Sequence, residues 1–321
     1  MKLDNIGFYT LSEKRAKNVS GHSPIMRAEF IITDECNFKC PYCRGLKKEL
    51  QGTMGKDRGL EYLNILFNHR LKNVRFSGGE PTLHEHLPDF IMACKSANVE
   101  RIAISTNGSA DLDFYKYLIS LGVNDFSISL DSGCCATGEK MTGGVYGSWD
   151  KAVDSIKELS KLTYVTVGMV FNNINLSDAV ESVKFAQSLN PSDIRIISSA
   201  QYNDIIPELA KIPIIQSLPI LKYRIHNYEN KINIRGLSET DTHKCPLVLD
   251  DLAIAGNKHF PCIIYMREKG KEIGEMTPDF RKERVEWYMK HNSFLDKICR
   301  NNCLDVCRDY NNKVQTLKVL R

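Results

Sequence analysis

The chain has 321 residues, 42% hydrophobic and 26% charged, the make-up of an ordinary globular protein with room for one large domain and a smaller one. Its 43 basic and 39 acidic residues leave a formal charge of +4, too mild to argue for nucleic acid or a membrane surface, though nucleic acid stays open as a partner. No apolar run is long enough to span a bilayer, and MKLDNIGFYTLSEKRAKN lacks the apolar stretch of a secretory signal, so a cytoplasmic location and no membrane partner are expected.

Residues 1–25 read as an N-terminal extension, with Ile6-Gly7-Phe8-Tyr9-Thr10-Leu11 as a strand or lid. From residue 27 to about 200, short runs rich in Ile, Val and Phe alternate with amphipathic stretches. AEFIIT, NVRFS, RIAIST, DFSISL, YVTVGMVF and DIRIIS have the length and composition of strands. LEYLNILFNHR, LPDFIMACKSA, LDFYKYLISLG, SWDKAVDSIKELSKL and NLSDAVESVKFAQSL repeat apolar residues at helical spacing. Ser148 is placed just ahead of one helix, with Asp150 close behind, and Gly122 just past the end of another. Six strands alternating with helices predict an α/β fold with a parallel sheet over residues 26–203, either doubly wound and open or curled into a partial barrel. In both, ligands sit at the carboxyl ends of the strands.

Residues 204–240, with Pro207, Pro213 and Pro219, read as a connector. Residues 241–321 form a small cysteine-rich C-terminal domain. Within it CPLVLDDLAIAGNKHFPCIIYM reads as a hairpin turning at Gly256-Asn257, and a helical stretch follows over about 279–297.

The cysteines carry the chemistry. Eleven is a high count for a reducing compartment, where clustered thiols are metal ligands or catalytic groups rather than disulfides. Cys36, Cys40 and Cys43 lie on the loop that leaves the first strand, spaced closely enough to wrap one iron–sulfur cubane and leave one iron without a protein ligand. Structural zinc is the alternative, but it usually takes four ligands, and His69, His84 and His86 are not placed as in a zinc finger. Cys245, Cys262, Cys299, Cys303 and Cys307 form the second group, again with zinc as the alternative to a cubane. Cys94 reads as a buried small hydrophobe, and Cys134 and Cys135 as a loop thiol pair that could at most donate a hydrogen atom.

The Cys36-x3-Cys40-x2-Cys43 loop with Tyr42 before its last cysteine, followed by Ser77-Gly78-Gly79-Glu80-Pro81, resembles the radical S-adenosylmethionine (SAM) superfamily over residues 27 to about 200. The resemblance implies a partial (β/α)6 TIM-like barrel and a [4Fe–4S] cluster whose open iron is chelated by SAM. It also implies SAM contacts from Tyr42, from Gly78, Gly79 and Glu80, from Ser105, Thr106 and Asn107, and from Ser129 and Asp131, with Asn172 as a weaker candidate. The second cysteine group resembles SPASM and twitch extensions, supported by Pro261-Cys262 after the hairpin and by Ile273-Gly274-Glu275-Met276. Its terminal spacing departs from a full SPASM domain, so one auxiliary [4Fe–4S] cluster is expected on four of the five thiols.

The expected activity is reductive cleavage of SAM followed by hydrogen abstraction from a small-molecule or amino-acid-type substrate, with a reductant such as flavodoxin or ferredoxin. A peptide and a nucleobase or nucleotide are the alternative substrates. A non-catalytic, metal-stabilised binding protein is the alternative of a different kind. A monomer or weak dimer is expected.

Overall fold

The computed structural model describes residues 12–197, 206–211 and 218–319. The expected strand or lid at residues 6–11 lies outside them. Among the described residues nine strands form one sheet: β1 (Arg27–Thr33), β2 (Asn73–Gly78), β3 (Arg101–Thr106), β4 (Asp125–Ser129), β5 (Tyr164–Val170), β6 (Asp193–Ile197), β7 (Asp251–Ala255), β8 (Lys258–Phe260) and β9 (Gly274–Glu275). Their order is β6-β5-β4-β3-β2-β1-β7-β8-β9. The first six are parallel neighbours in chain order. A doubly wound sheet needs a reversal of strand order, and these six have none. The architecture is therefore a partial barrel, open between β6 and β9.

Helices precede or follow these strands as α1 (Glu13–Asn18), α2 (Lys56–Asn68), α3 (Leu87–Ser96), α4 (Leu112–Leu121), α5 (Cys135–Met141), α6 (Ser148–Leu159), α7 (Ala179–Ser188), α8 (Ile206–Ala210), α9 (Pro219–Glu229), α10 (Ile263–Arg267), α11 (Phe280–Lys290), α12 (Lys297–Asn302) and α13 (Asp305–Val319). Alternation along each strand divides the sheet into two unlike faces. Ala28, Phe30 and Ile32, Val74 and Phe76, and Val165, Val167 and Met169 join the helix-covered core. Phe30, Phe76 and Phe90 meet there with ring centroids 6.0–6.3 Å apart. Burying each such side chain contributes roughly 1.5–3 kcal/mol. Cys94 is fully buried in this core, as its sequence context implied. The intervening residues, among them Glu29, Arg75, Asp125, Ser127 and Thr166, make the opposite, inner face polar.

Three local expectations are corrected. Ser148 is the first residue of α6, not its cap; Gly147, at φ 70°, caps the helix, and the Ser148 hydroxyl bonds Thr142 Oγ1 instead. The hairpin is confirmed at Ala255↔Lys258, but its second arm ends at Phe260. CIIYM then turns into α10 because Cys262 Sγ accepts from the Tyr265 amide and caps it. The helix expected over 279–297 stops at Lys290, and a new one starts behind Asp296, whose carboxylate accepts from the amides of Ile298 and Cys299. The connector contains a helix, α9, with Arg224, Tyr223 and Asn227 buried.

The C-terminal residues are not separate from the barrel. β7 pairs with β1 in parallel, Ala28 opposite Leu252 and Phe30 opposite Ile254. The N-terminal helix α1 joins the same unit: Ala16 and Val19 pack with Val306, Tyr310 and Val314, and Arg15 Nε donates to Asp250 Oδ2 at 3.0 Å.

Candidate functional site

The carboxyl ends of the barrel strands enclose a cavity of about 400 Å³, within the range of small-molecule sites. Cys36, Cys40 and Cys43 line it from the loop after β1. That loop is tied down by its own backbone, with Cys43 N donating to Cys40 O and Lys39 N to Thr142 O. Burial pushes the Cys40 thiol up to about 12, with the charges of Asp131 and Cys43 adding to the effect, and burial raises Cys36 as well. Cys36 and Cys40 thus resist ionising, a cost that a bound cation relieves, and with Cys43 beside them the donor set fits an iron–sulfur cluster.

The loop after β2 is built for close approach. A Cβ on Gly78 would stand 2.2 Å from the Thr33 carbonyl oxygen, and one on Gly79 would stand 2.1 Å from that of Glu35. Only glycine lets these two loops pack, and Gly78 and Gly79 line the cavity. Glu80, expected among the SAM contacts, is turned away from the cavity. Its side chain is fully buried and accepts from Thr82 N and Oγ1, Thr106 Oγ1 and Asn107 N. The carboxylate thus binds the β2 exit to the β3 exit, and the backbone of Gly78–Gly79 is what faces the cavity.

Ser105, Thr106, Asn107, Ser129, Asp131 and Tyr42 all line the cavity. Not all are free to receive a ligand. Asp131 accepts from Val170 N at 2.7 Å and from the Tyr42 hydroxyl, and burial pushes its carboxyl up to about 6. Tyr42 and Asp131 are thereby a clamp between the thiol loop and the β4 exit. Asn172 is buried, bonds Ile174 N and Met141 Sδ, and is not among the lining residues. Cys134 and Cys135 open α5 outside the lining, which removes the reason to treat either as a hydrogen donor into the cavity.

Not anticipated from the sequence are the arginines. Arg44, Arg75, Arg195, Arg224, Arg235 and Arg267 line the cavity, against the carboxylates of Glu29 and Asp131. The signal was present in the strands: NVRFS and DIRII each carry a charge at an alternate position, which a covered sheet face does not favour unless it lines a chamber.

Cys245, Cys262, Cys299, Cys303 and Cys307 meet around a second, smaller cavity of about 40 Å³. All five are partly buried, and burial is the main cause that raises each thiol, Cys262 to about 12. These thiols also fit a metal centre, either a cubane or zinc. His291 and Asp296, unforeseen from the sequence, offer ligand atoms within 4.8 Å of the Cys299 thiol. No helix among the described residues is long and apolar enough to cross a membrane.

Comparison with known proteins agrees with this geometry. Residues 30–186 match the model of the radical SAM superfamily. A probable GTP 3′,8-cyclase of Saccharolobus solfataricus is 26% identical over 182 residues, covering 54% of this chain and 57% of that protein. One of Methanococcus vannielii is 27% identical over 160 residues, covering 49% and 54%. The chain thus matches only about half the length of these curated relatives. Among solved structures, Streptococcus suis SuiB bound to precursor peptide SuiA aligns with TM-score 0.59 at 16% identity, over 85% of this chain and 66% of that one. Native anSMEcpe with bound AdoMet aligns with TM-score 0.58 at 16% identity, over 91% and 95%. At such identity these two speak for the fold. With the thiol loop and the glycine cradle inside the matched stretch, residues 30–186 of this enzyme are a radical SAM domain.

Proposed function

We propose that this chain reductively cleaves SAM and abstracts a hydrogen atom from a small-molecule or amino-acid-type substrate held in the barrel cavity. The observation that carries the reading is the meeting of three thiols and the Gly78–Gly79 cradle at the mouth of one cavity. When bound, the cluster and SAM supply an electron and a 5′-deoxyadenosyl radical. The protein's part is positional. Cys36, Cys40 and Cys43 would hold the cluster, and the backbone at Gly78–Gly79 would receive the amino-acid end of SAM. Ser105, Asn107 and Ser129 would meet its sugar with hydroxyl and amide groups, which can both donate and accept. Glu80 and the Tyr42–Asp131 clamp would hold the loops that carry these groups.

Four of the five C-terminal thiols would hold one auxiliary [4Fe–4S] cluster in a twitch-like domain, residues 241–321, behind the core of 26–203. The relatives' names favour a nucleotide as the second reading of the substrate. A cytoplasmic location and a flavodoxin or ferredoxin reductant complete the proposal. The test is release of 5′-deoxyadenosine from SAM by the anaerobically reconstituted, reduced protein. Cys40→Ala is expected to abolish it; a variant that cleaves SAM as well as the parent would refute the assignment.

A further inference from the structure

The inner wall between β4 and β6 combines three observations. The first is a gap. Ser129 lies opposite Gly168, and Gly168 opposite Arg195, so a residue without a side chain separates a hydroxyl from a guanidinium on the same inner row. Two strand spacings put their backbones about 9.5 Å apart. All three residues line the cavity.

The second observation is unmet hydrogen-bonding capacity. Arg195 donates from Nη2 to Ser127 Oγ at 3.0 Å, while its buried Nε has no acceptor. Arg224 is 4% exposed, pairs through Nη2 with Asp305 at 3.2 Å, and leaves Nε and Nη1 buried without an acceptor. Buried N–H groups of this kind are rare unless a bound group completes them. Arg224 is brought over β6 by α9: Ile220 N donates to Asp193 Oδ2 on that strand, and Arg224 follows one helical turn later on the same face.

The third observation is the charge balance. Asp131, one of the two lining carboxylates, is committed to Tyr42 and Val170. Glu29 and Asp125 act on Arg195, yet burial and the adjacent Arg75 outweigh them and press its guanidinium down to about 10. It remains charged at neutral pH, in want of an anion.

We propose that Arg195 and Arg224, beside the gap left by Gly168, form an oxyanion subsite that binds a carboxylate or phosphate of the substrate. Arginine suits this because its planar fork meets either group through two N–H bonds. The inference rests on the cavity being the substrate chamber of a SAM-cleaving enzyme, and it narrows the substrate to an anionic one.

The experiment is calorimetric titration of the reconstituted full chain, saturated with SAM, with inorganic phosphate, pyrophosphate and succinate. At least one of the three is expected to bind. Arg195→Gln and Arg224→Gln should each weaken it about tenfold or more. Arg195→Lys, which keeps the buried charge and protects the fold, should fall between. Lys161→Gln, at the surface, should bind like the parent. Preference for phosphate or pyrophosphate assigns a phosphorylated substrate, and preference for succinate a carboxylic one. Failure of all three to bind, or arginine variants that bind as the parent does, overturns the subsite. Release of 5′-deoxyadenosine from SAM is measured on the same preparation. Cleavage without anion binding sinks the subsite alone, whereas arginine-dependent binding without cleavage sinks the proposed activity alone.

Discussion

Arg267 donates to the carbonyl of Gly78 and to the carbonyl of Gly45, each at 3.1 Å. One side chain at the end of α10 thereby grips both the glycine cradle and the thiol loop. The same short helix is capped by Cys262, a thiol of the second site. The two cysteine centres are thus joined through five residues of chain and one guanidinium.

The consequence is testable. Arg267→Met keeps most of the side chain's length but loses both donors, each a charge-assisted bond worth roughly 1.5–3 kcal/mol. SAM binding should weaken at least about tenfold while bound iron stays unchanged. Equilibrium binding of SAM and iron analysis on one preparation decide it; unchanged SAM affinity would show the contact to be incidental.

Gly79→Ala should be far more damaging than its one added carbon implies. The methyl would meet the backbone oxygens of Glu35 and Asp34 at 2.1 and 2.6 Å, and neither is free to swing away. The thiol loop must shift, so loss of SAM binding and poor cluster retention are expected. Gly55→Ala is the control: its φ is −65° and nothing lies within 4 Å of the added carbon. That variant, at the N-cap of α2, should lose no more than about 1 kcal/mol in unfolding and keep SAM binding.

The Tyr42–Asp131 clamp predicts a different signature. Tyr42→Phe leaves a buried carboxylate short of one donor, at a cost of roughly 1–3 kcal/mol. Because Tyr42 stands between Cys40 and Cys43, the loss should appear as faster release of iron to a chelator. A variant that holds iron like the parent would mean that Asp131 finds another donor.

Much of this site was legible because its signals are local. Thiol spacing, paired glycines and strand composition survive in a linear string, and they placed the cavity's rim. Roles that depend on distant partners were not legible. Glu80 read as a SAM contact, yet Thr82, Thr106 and Asn107 surround its carboxylate. Arg195 and Arg224 lie in segments whose pairing is set by the sheet and by α9, so only the fold brings them to one wall. The break at Lys290 was hidden for a similar reason. Asp296 caps the new helix through one oxygen, while its other oxygen accepts from Tyr265, a partner 31 residues away.

The second thiol group predicts a measurable stoichiometry. Cys262→Ala should lower bound iron by about four atoms per chain, one cubane, while SAM cleavage continues. Zinc in place of iron would appear directly in metal analysis. One of the five single substitutions should be nearly silent, since a cubane takes at most four thiolates.

His259 supplies a pH dependence that involves no cysteine thiol directly. It is fully buried; Arg284 Nη1 donates to its Nδ1 at 3.1 Å, so Nε2 carries the proton and donates to Glu283 at 2.9 Å. Burial, with Arg284 adding to it, drives the imidazole from 6.5 down to about 2. The unfolded chain takes up a proton here near pH 6.5 and the folded one does not. Stability from this group is therefore present above pH 6.5 and lost as pH falls below it, by up to about 1.4 kcal/mol per pH unit. Urea unfolding at pH 7.5 and 5.5 should show that loss in the parent and a smaller one in His259→Gln, whose amide does not titrate. The loop joining β7 and β8 to α11 would loosen first, because Arg284 also donates to the carbonyls of Val248 and Phe260 and depends on a neutral ring beside it. Equal slopes in the two proteins would mean that the acid sensitivity arises elsewhere.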